Sequence, residues 1–241
     1  EAEQALEDPY QKISKEFDIP KGLYKRVEFW FNVYTQYNKN QHVIHHTRYP
    51  WIIFEVVDTS HFLSGSGPLW LRIQRGRDYV AKRKKVIRNT LKSLAYKKSL
   101  KKITPLEKHL LKALREIPGR RSKNIRVAAN HVRAQLGQRD FFLNGIENST
   151  KYLNLMEEEF SLAGLPTELT RIPFVESSFN EKAESRIGAS GVWQIMPHIG
   201  KKYSIVNNLI DERNSPVKAS KVAAKLLKFN FRSLKSWPLA V

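Results

Sequence analysis

The stretch "IPFVESSFNEKAESRIGASGVWQIMP", residues 172–197, indicates both the fold class and the candidate chemistry of this chain. It places Glu176 at the end of an apolar run and continues with serine, asparagine, glycine and glutamine. A carboxyl group beside apolar residues such as Ile172 and Phe174 is expected to lose part of its hydration, which favours the protonated form. A carboxyl group that keeps its proton near neutral pH can act as a general acid. Glu176 is therefore the candidate catalytic residue.

The residues that follow Glu176 are of the kinds that bind a polar ligand. Ser177 and Asn180 add hydrogen-bonding groups next to the acid, and the glycines of "GASGVWQIMP" allow the backbone to approach a ligand closely. Trp193 suits either stacking on a sugar ring or packing in the core. The structural alternative is an exposed helix end, where a carboxylate followed by two serines is common.

The segment "ESSFNEKAESRIGASGVWQIMP", residues 176–197, resembles the signature of the family 1 lytic transglycosylases, E-S-x-F-N-x-x-A-x-S-x-x-G-A-x-G-x-x-Q-x-M-P. Its W-Q pair is typical of the membrane-bound transglycosylase D type within that family. The similarity continues outward through "LAGLPTELTRIPFVES" and "DERNSPVKASKVAAKLL", so that it covers roughly residues 148–241. So many matching positions in order make the resemblance specific.

The resemblance implies a role for each matching residue. Glu176 corresponds to the family's single catalytic acid and base, and Ser185 to a serine that helps to orient the N-acetyl group of the substrate. Gln194 and Met196 correspond to positions that line the glycan cleft. The predicted substrate-binding residues, including the two polar neighbours of the acid, are Ser177, Asn180, Ser185, Gln194 and Met196. The family has a lysozyme-like α-helical fold and requires no metal or cofactor.

The reaction that the resemblance implies is cleavage of the β-1,4 bond between N-acetylmuramic acid and N-acetylglucosamine in peptidoglycan. Glu176 would protonate the leaving oxygen and then accept a proton from the 6-hydroxyl of muramic acid, which closes a 1,6-anhydro ring. Two alternatives stay open at this point: a hydrolytic muramidase at the same site, and a catalytically inactive protein that binds the cell wall or serves as a scaffold.

The family continues, after the helix that follows its signature, into an A-Y-N-x-G motif whose tyrosine approaches the catalytic acid. The present sequence ends at "SWPLAV", residues 236–241, without that motif. The expectation from the resemblance is therefore that the catalytic domain is incomplete at its C-terminus.

The charge of the chain is concentrated in its first part. Residues 1–145 contain 29 Lys+Arg and 13 Asp+Glu, a net charge of +16, whereas residues 146–241 contain 13 and 10, a net charge of +3. We therefore predict a basic, mostly helical region over residues 1–145 and the catalytic domain over residues 146–241. The partners expected for the basic region are peptidoglycan carboxylates and the anionic surface of the envelope.

Nucleic acid is the other polyanion that this charge could serve. Between residues 72 and 102 there are 13 basic residues and a single acidic one, Asp78, with Tyr79 and Tyr96 among them. However, their spacing matches no recognised nucleic-acid-binding motif, and a charged run is most often a solvated helix face. We therefore favour the cell wall as the partner and do not expect nucleic acid.

Composition also limits the cofactor and the compartment. The absence of cysteine excludes disulfides and cysteine-ligated metals. His42, His45 and His46 lie in a strand-like segment that sends neighbouring side chains to opposite faces, and no HExxH motif is present, so no metal site is expected. The acidic first residues lack the apolar core of a signal peptide. The envelope function implies the bacterial periplasm or an outer-membrane-associated location, after removal of an export signal.

The coarse pattern predicts a mainly α protein. A helix is expected over residues 23–34, a β-hairpin over residues 42–58, and a long helix from residue 69 to about 102. Thr104, Pro105 and Glu107 predict a capped helix start. "NIRVAANHVRAQLGQ" predicts a helix that ends at Gly137. In the last part the expected features are a helix ending at Gly164, a helix beginning at Ser215 and Pro216, and no strand.

Overall fold

The computed structural model describes residues 6–8 and 11–241, and most of these residues are helical. The mainly α fold class is thus confirmed. The chain forms two compact units, which we call the N-terminal unit, containing Ile19–Asp140, and the C-terminal unit, formed by Asp8–Asp18 together with Phe141–Val241. The structural division therefore lies between Asp140 and Phe141, five residues before the boundary that the charge distribution suggested.

The N-terminal unit combines α-helices with a small antiparallel sheet. Its helices are α1 Tyr24–Thr35, α2 Ser60–Leu63, α3 Leu69–Tyr96, α4 Pro105–Ala113 and α5 Arg121–Ala128. Its strands are β1 Gln41–His46, β2 Ile53–Asp58 and β3 Val132–Leu136. Short 3-10 helices occur at Lys21–Leu23, Leu114–Glu116 and Ala129–His131.

Strand β1 lies in the centre of the sheet, in the order β2-β1-β3, and pairs antiparallel with both neighbours. Its last four residues are all buried, because helices cover both faces of the sheet. On one face Val43 packs with Phe29 and Val33 of helix α1. On the other face Ile44 joins a core that includes Ile87 of helix α3. The predicted hairpin of β1 and β2 is therefore present.

The helix predicted over "NIRVAANHVRAQLGQ" is wrong in its second half. Helix α5 ends at Ala128, and residues Val132–Leu136 form β3 against β1. Gly137 does not end a helix. A Cβ atom at Gly137 would lie 2.3 Å from the carbonyl oxygens of Tyr37 and Asn38, so glycine permits two chain segments to meet there.

The long basic helix α3 is amphipathic, with one buried face and one charged, exposed face. The side chains or backbone positions of α3 that are buried are Gly76, Val80, Ile87, Leu91 and Leu94, with most basic side chains on the remaining surface. Helix α4 starts with the predicted capping box, since Thr104 accepts from the backbone of Glu107 and Glu107 accepts from the backbone of Thr104. Lys97 pairs with the buried Glu107 at 2.9 Å.

The C-terminal unit is helical throughout its regular structure. Its helices are α6 Arg139–Ser149, which begins at the unit boundary, α7 Leu153–Leu162, α8 Ile172–Glu176, α9 Pro197–Tyr203, α10 Pro216–Leu234 and α11 Trp237–Ala240. Short 3-10 helices occur at Lys15–Phe17, Thr167–Arg171 and Glu212–Asn214. The part of this unit that the structure describes contains isolated β-bridges but no strand.

Helix ends in the C-terminal unit follow the predicted signals in part. Gly164, with φ of 68°, ends α7 through a hydrogen bond from its N–H to the Ser161 carbonyl oxygen. Pro216 occupies the first position of α10, but the Ser215 side chain makes no capping hydrogen bond. Over residues 6–8 and 11–241, no helix combines the length and the apolar character that crossing a membrane requires.

Candidate active site

Glu176 is the last residue of the short helix α8. The Ser177 N–H donates to the Pro173 carbonyl oxygen at 3.1 Å, and the Phe179 N–H donates to the same oxygen at 3.3 Å. The helix stops because Ser178 and Phe179 both have left-handed backbones, with φ of 56° and 54°. Such angles are uncommon for a serine and a true outlier for a bulky phenylalanine.

The surrounding structure holds this strained turn in place. The Ser177 hydroxyl donates to the Val192 carbonyl oxygen at 2.7 Å, and the Ser178 hydroxyl donates to the Phe141 carbonyl oxygen. The Phe179 ring is buried and packs edge-on against Phe174, with ring centroids 4.7 Å apart. Since both serine hydroxyls and the phenylalanine ring are engaged, the direction in which the chain presents Glu176 is fixed.

A second turn, from residue 185 to residue 196, faces the acid from another part of the chain. Gly188 and Gly191 have φ of 86° and 73°, and Gln194 has φ of 47°. The Gln194 side-chain amide donates to the carbonyl oxygens of Ala183 and Gly191 at 3.1 and 3.0 Å. The NH₂ group of the Gln194 side chain thus closes the turn. The oxygen of the same side chain can accept a hydrogen bond from a ligand.

Arg213 holds the second turn through hydrogen bonds to its backbone. It was not among the residues predicted from the sequence. Only 7% of its surface is exposed, and it forms an ion pair with Asp211 at 2.6 Å. Its guanidinium also donates to the carbonyl oxygens of Gly188 and Ile195 at 2.7 and 2.9 Å. The hydrogen bonds from Arg213 lower the pKa of Asp211, so this carboxyl group is ionised at neutral pH.

Trp193 belongs to the core of this unit. Its indole N–H donates to the Ser220 hydroxyl at 2.8 Å, and its ring stacks on Phe160 with centroids 5.3 Å apart. The residue is 7% exposed. Of the two roles considered for Trp193, packing is the one present in this structure.

Glu176, Gln194 and Met196 line one cavity of about 240 Å³. Its remaining lining residues are Ile172, Trp193, Ile195, Ile199, Ala223, Leu226, Leu227 and Val241. Glu176 is the single carboxyl side chain among these described lining residues. Apart from Glu176 and Gln194, the lining is mostly apolar. The structure therefore brings together three of the six predicted site residues.

The other three predicted site residues do not line this cavity. Ser177 is buried beneath the turn by its hydrogen bond to Val192. The Ser185 hydroxyl accepts from the Ala189 N–H at 2.9 Å and closes the part of the turn that contains Gly188. Asn180 is exposed and lines a separate cavity of about 120 Å³ with Tyr152.

The desolvation expected around Glu176 is not present, because Glu176 is exposed. The helical geometry explains the difference. Residues 174 and 176 are separated by about 200° on a helix, so Phe174 packs into the core while Glu176 points outward. Ile172 precedes Glu176 by one turn and is the apolar neighbour that shares its cavity.

Within residues 6–8 and 11–241 there is no group of three or more histidine, cysteine or acidic side chains that could hold a metal ion. The arrangement around Glu176 instead offers one carboxyl group, one amide and an apolar wall. One carboxyl group can both give and take a proton during a single reaction, as general acid and base catalysis requires.

Comparison with known proteins agrees with the signature around Glu176. Residues 154–241 match the family model of the transglycosylase SLT domain. A protein of Alteromonas sp. (strain M-1), described as a tributyltin chloride resistance protein, is 32% identical over 79 residues, which are 32% of this chain and 38% of that protein. Membrane-bound lytic murein transglycosylase D of Escherichia coli (strain K12) is 33% identical over 73 residues, which are 30% of this chain and 16% of that enzyme.

The matched segments thus span well under half the length of these relatives, and the family model matches residues of the C-terminal unit. Within that unit the match includes the short helix that ends at Glu176, the glycine turn and helix α10. The resemblance seen in the sequence is confirmed for this segment: residues 154–241 match the transglycosylase SLT domain.

Proposed function

We propose that the C-terminal unit cleaves the β-1,4 bond between N-acetylmuramic acid and N-acetylglucosamine in peptidoglycan. The observation that supports this proposal is the position of Glu176 at a mostly apolar cavity in a segment that matches the transglycosylase SLT domain, where no other described lining residue has a carboxyl side chain. The match to the transglycosylase SLT domain supports the enzyme class. The reaction steps are inferred from the chemistry that one carboxyl group allows.

In the proposed reaction Glu176 first donates its proton to the glycosidic oxygen, and the bond between that oxygen and C1 of muramic acid breaks. The Glu176 carboxylate then accepts the proton of the 6-hydroxyl, whose oxygen bonds to C1 and forms the 1,6-anhydro product. The proton balance closes and Glu176 ends in its starting form. Since the nucleophile belongs to the substrate, neither a second carboxyl group nor a positioned water is needed.

We further propose that the walls of the cavity orient the glycan. Met196 provides an apolar contact and the Gln194 amide oxygen a hydrogen-bond acceptor. Ser177 acts as a positioning residue, because its hydroxyl anchors the turn that carries Glu176. The role of Ser185 in orienting the N-acetyl group of the substrate and the contact of Asn180 with the substrate stay predictions.

A hydrolytic muramidase is the second candidate, and the exposure of Glu176 favours it. Water can reach an exposed carboxylate, and a water activated there could replace the 6-hydroxyl at C1. The two reactions share the first proton transfer and differ only in the nucleophile.

The test is digestion of purified peptidoglycan sacculi by the chain and by its Glu176→Gln variant, followed by mass spectrometry of the released muropeptides. We expect 1,6-anhydro ends from the unchanged chain and a loss of activity of at least 100-fold in the variant, since general acid–base groups contribute roughly 10²–10⁴-fold. Glu158→Gln is the matched control, because Glu158 is an exposed glutamate outside the cavity.

Reducing ends instead of anhydro ends would assign the hydrolytic reaction to the same residue. Equal lysis by the chain and by Glu176→Gln would exclude Glu176 as the catalytic group. Binding to sacculi without lysis by any of the three proteins would identify a wall-binding protein without activity.

We also propose that the protein works in the bacterial envelope and that the basic N-terminal unit contacts its anionic surfaces. The support is the substrate inferred above together with the net charge of +16 over residues 1–145. Peptidoglycan carries carboxylates on its peptides and lactyl groups, so a positive surface raises the rate of encounter with it.

A further inference from the structure

A cavity of about 470 Å³ in the N-terminal unit has no role in the proposed reaction. It lies between the loop that joins β1 to β2 and the start of helix α5. Its lining residues are His46, Arg48, Tyr49, Ile117, Pro118, Gly119, Arg120, Lys123, Asn124, Val127 and His131. Its volume is within the range of small-molecule sites.

The charges around this cavity are of one sign. Arg48, Arg120 and Lys123 contribute three cations, and the described lining residues include no aspartate or glutamate. All three side chains are exposed, and the structure gives none of them an acidic partner in the part of the chain that it describes. Three cations without a counter-charge at one cavity attract an anion rather than a neutral ligand.

His46 adds a neutral donor whose proton position is fixed. Its Nδ1 accepts from the backbone N–H groups of Arg48 and Tyr49 at 3.2 and 3.1 Å, so the ring proton lies on Nε2. Burial lowers the pKa of His46 to about 4, with a smaller contribution from the nearby charge of His131. At neutral pH this ring is therefore an uncharged N–H donor, which can hydrogen-bond to an anion's oxygen.

His131 and the start of helix α5 complete the wall. The rings of His131 and His46 stack with centroids 4.7 Å apart. The residue before the helix, Arg120, makes no side-chain capping hydrogen bond, so the first N–H groups of the eight-residue helix are uncapped. Asn124 holds the loop in front of them by donating to the Ile117 carbonyl oxygen at 3.0 Å.

We propose that this cavity binds a phosphate monoester, carried either by a soluble molecule or by a lipid whose headgroup is a phosphate monoester. A carboxylate has two oxygens and one charge, whereas the cavity presents three cations, a fixed imidazole donor and free helix N–H groups. A phosphate monoester, with three terminal oxygens and up to two charges, matches that number of donors better. The site is separate from Glu176 and does not depend on the reaction proposed there.

The test compares the full chain with a variant that carries both Arg120→Gln and Lys123→Gln. The matched control carries Lys98→Gln and Lys101→Gln, which removes the same charge from exposed positions of the same unit that do not line the cavity. The probes are glycerol phosphate, measured by calorimetry, and vesicles of phosphatidylcholine with or without phosphatidic acid, whose headgroup is a phosphate monoester, measured by sedimentation. Thermal unfolding of each protein verifies that it is folded.

We expect glycerol phosphate to bind the chain and the control equally, and the Arg120→Gln, Lys123→Gln variant at least tenfold more weakly, because each charge-assisted hydrogen bond is strong. In NMR spectra the ring signals of His46 and His131 should shift on binding, and those of His42 and His61 should not. The same variant effect on vesicle binding would identify a lipid headgroup as the source. Vesicle binding that is unaffected by the variant would identify a soluble monoester.

Equal weakening of binding by the variant and the control would mean that only overall charge matters, and it would overturn the proposal. The absence of glycerol phosphate binding to the folded chain would overturn it as well. A short single-stranded oligonucleotide serves as a third probe. If it binds and shifts neither histidine, the positive surface outside the cavity holds nucleic acid, and the cavity is not its phosphate site.

Discussion

At the scale of single residues, the turn after Glu176 is the most informative feature. Ser178 and Phe179 both adopt backbone angles that cost roughly 1–3 kcal/mol each, and such costs persist only where the surrounding structure imposes them. The serine hydroxyls and the phenylalanine ring supply those restraints. The result is a carboxyl group that is exposed yet held on a rigid support, as a catalytic acid requires.

Gly191 offers a stability test of the second turn. A Cβ atom at Gly191 would lie 1.9 Å from the Arg213 carbonyl oxygen, and the residue has φ of 73°. We expect Gly191→Ala to lower the free energy of unfolding by more than about 3 kcal/mol, because it adds a backbone clash to the left-handed strain. Urea denaturation followed by tryptophan fluorescence would measure the change.

Gly164→Ala is the control for Gly191→Ala. Gly164 has a similar φ of 68°, but no atom lies within 4 Å of the position that a Cβ atom would occupy there. This substitution adds only the left-handed strain, so a loss of about 1 kcal/mol is expected. Equal losses from the two substitutions would show that the contact with the Arg213 segment does not constrain the turn.

Residues that act through distant parts of the chain are those that the sequence could not reveal. Glu176, Gln194 and Met196 were predicted because they lie in one short signature, and the structure places them at one cavity. Arg213 lies in an unremarkable polar segment, and its role depends on a fold that brings it to Gly188. Only the signal of an acidic neighbour, Asp211, was available, and that pattern is common on protein surfaces.

At the scale of elements, strand β1 makes the stability of the N-terminal unit depend on pH. Burial lowers the pKa of His46 from 6.5 to about 4, and it lowers the pKa of His45 and His42 in the same direction. Between these pH values the unfolded chain binds a proton that the folded His46 does not. Stability is therefore complete above about pH 6.5 and falls as the pH decreases toward 4, by about 3 kcal/mol from His46.

Two measurements check this pH dependence. Unfolding of the N-terminal unit, followed through amide signals of β1, should become easier between pH 7 and pH 4.5. The variant His46→Gln should be less stable at pH 7 but should lose part of that slope. A His46 ring signal that titrates near pH 6.5 in the folded protein, or equal slopes in the two proteins, would contradict the prediction.

The elements that the sequence predicted are those with local signals. Each of these elements has a signal within a few residues of sequence. The signals are the capping box of Thr104 and Glu107, the glycine Gly164 at the end of helix α7, and the apolar strands of the hairpin. Strand β3 was missed because "VRAQL" is short and follows a genuine helix. Its conformation depends on pairing with β1, which lies about 90 residues earlier in the chain. The local sequence pattern does not indicate such a distant pairing.

At the scale of the whole molecule, the concentrated positive charge should make wall binding sensitive to salt. The screening length falls from about 10 Å at 0.1 M salt to about 3 Å at 1 M. We expect retention of the Glu176→Gln variant on purified sacculi to fall at least tenfold over that range, as measured by co-sedimentation. The variant keeps the wall intact during the assay.

Chitin, which lacks the carboxylates of peptidoglycan, is the control for this measurement. Retention on chitin should depend much less on salt, because only contacts with the glycan contribute. Retention on sacculi that is the same at both salt concentrations would show that the basic unit does not contribute to wall binding.

The C-terminal unit is built from two separate parts of the chain. The Ser14 N–H donates to Glu168 at 3.0 Å, and the Trp237 indole N–H donates to Glu16 at 2.7 Å, so contacts of this unit join residues more than 150 positions apart. During synthesis on the ribosome, Ile19–Asp140 can fold before the later partners of the early segment exist. The contacts of the early segment with the rest of the C-terminal unit therefore cannot form until residues as far along the chain as Trp237 have been synthesised.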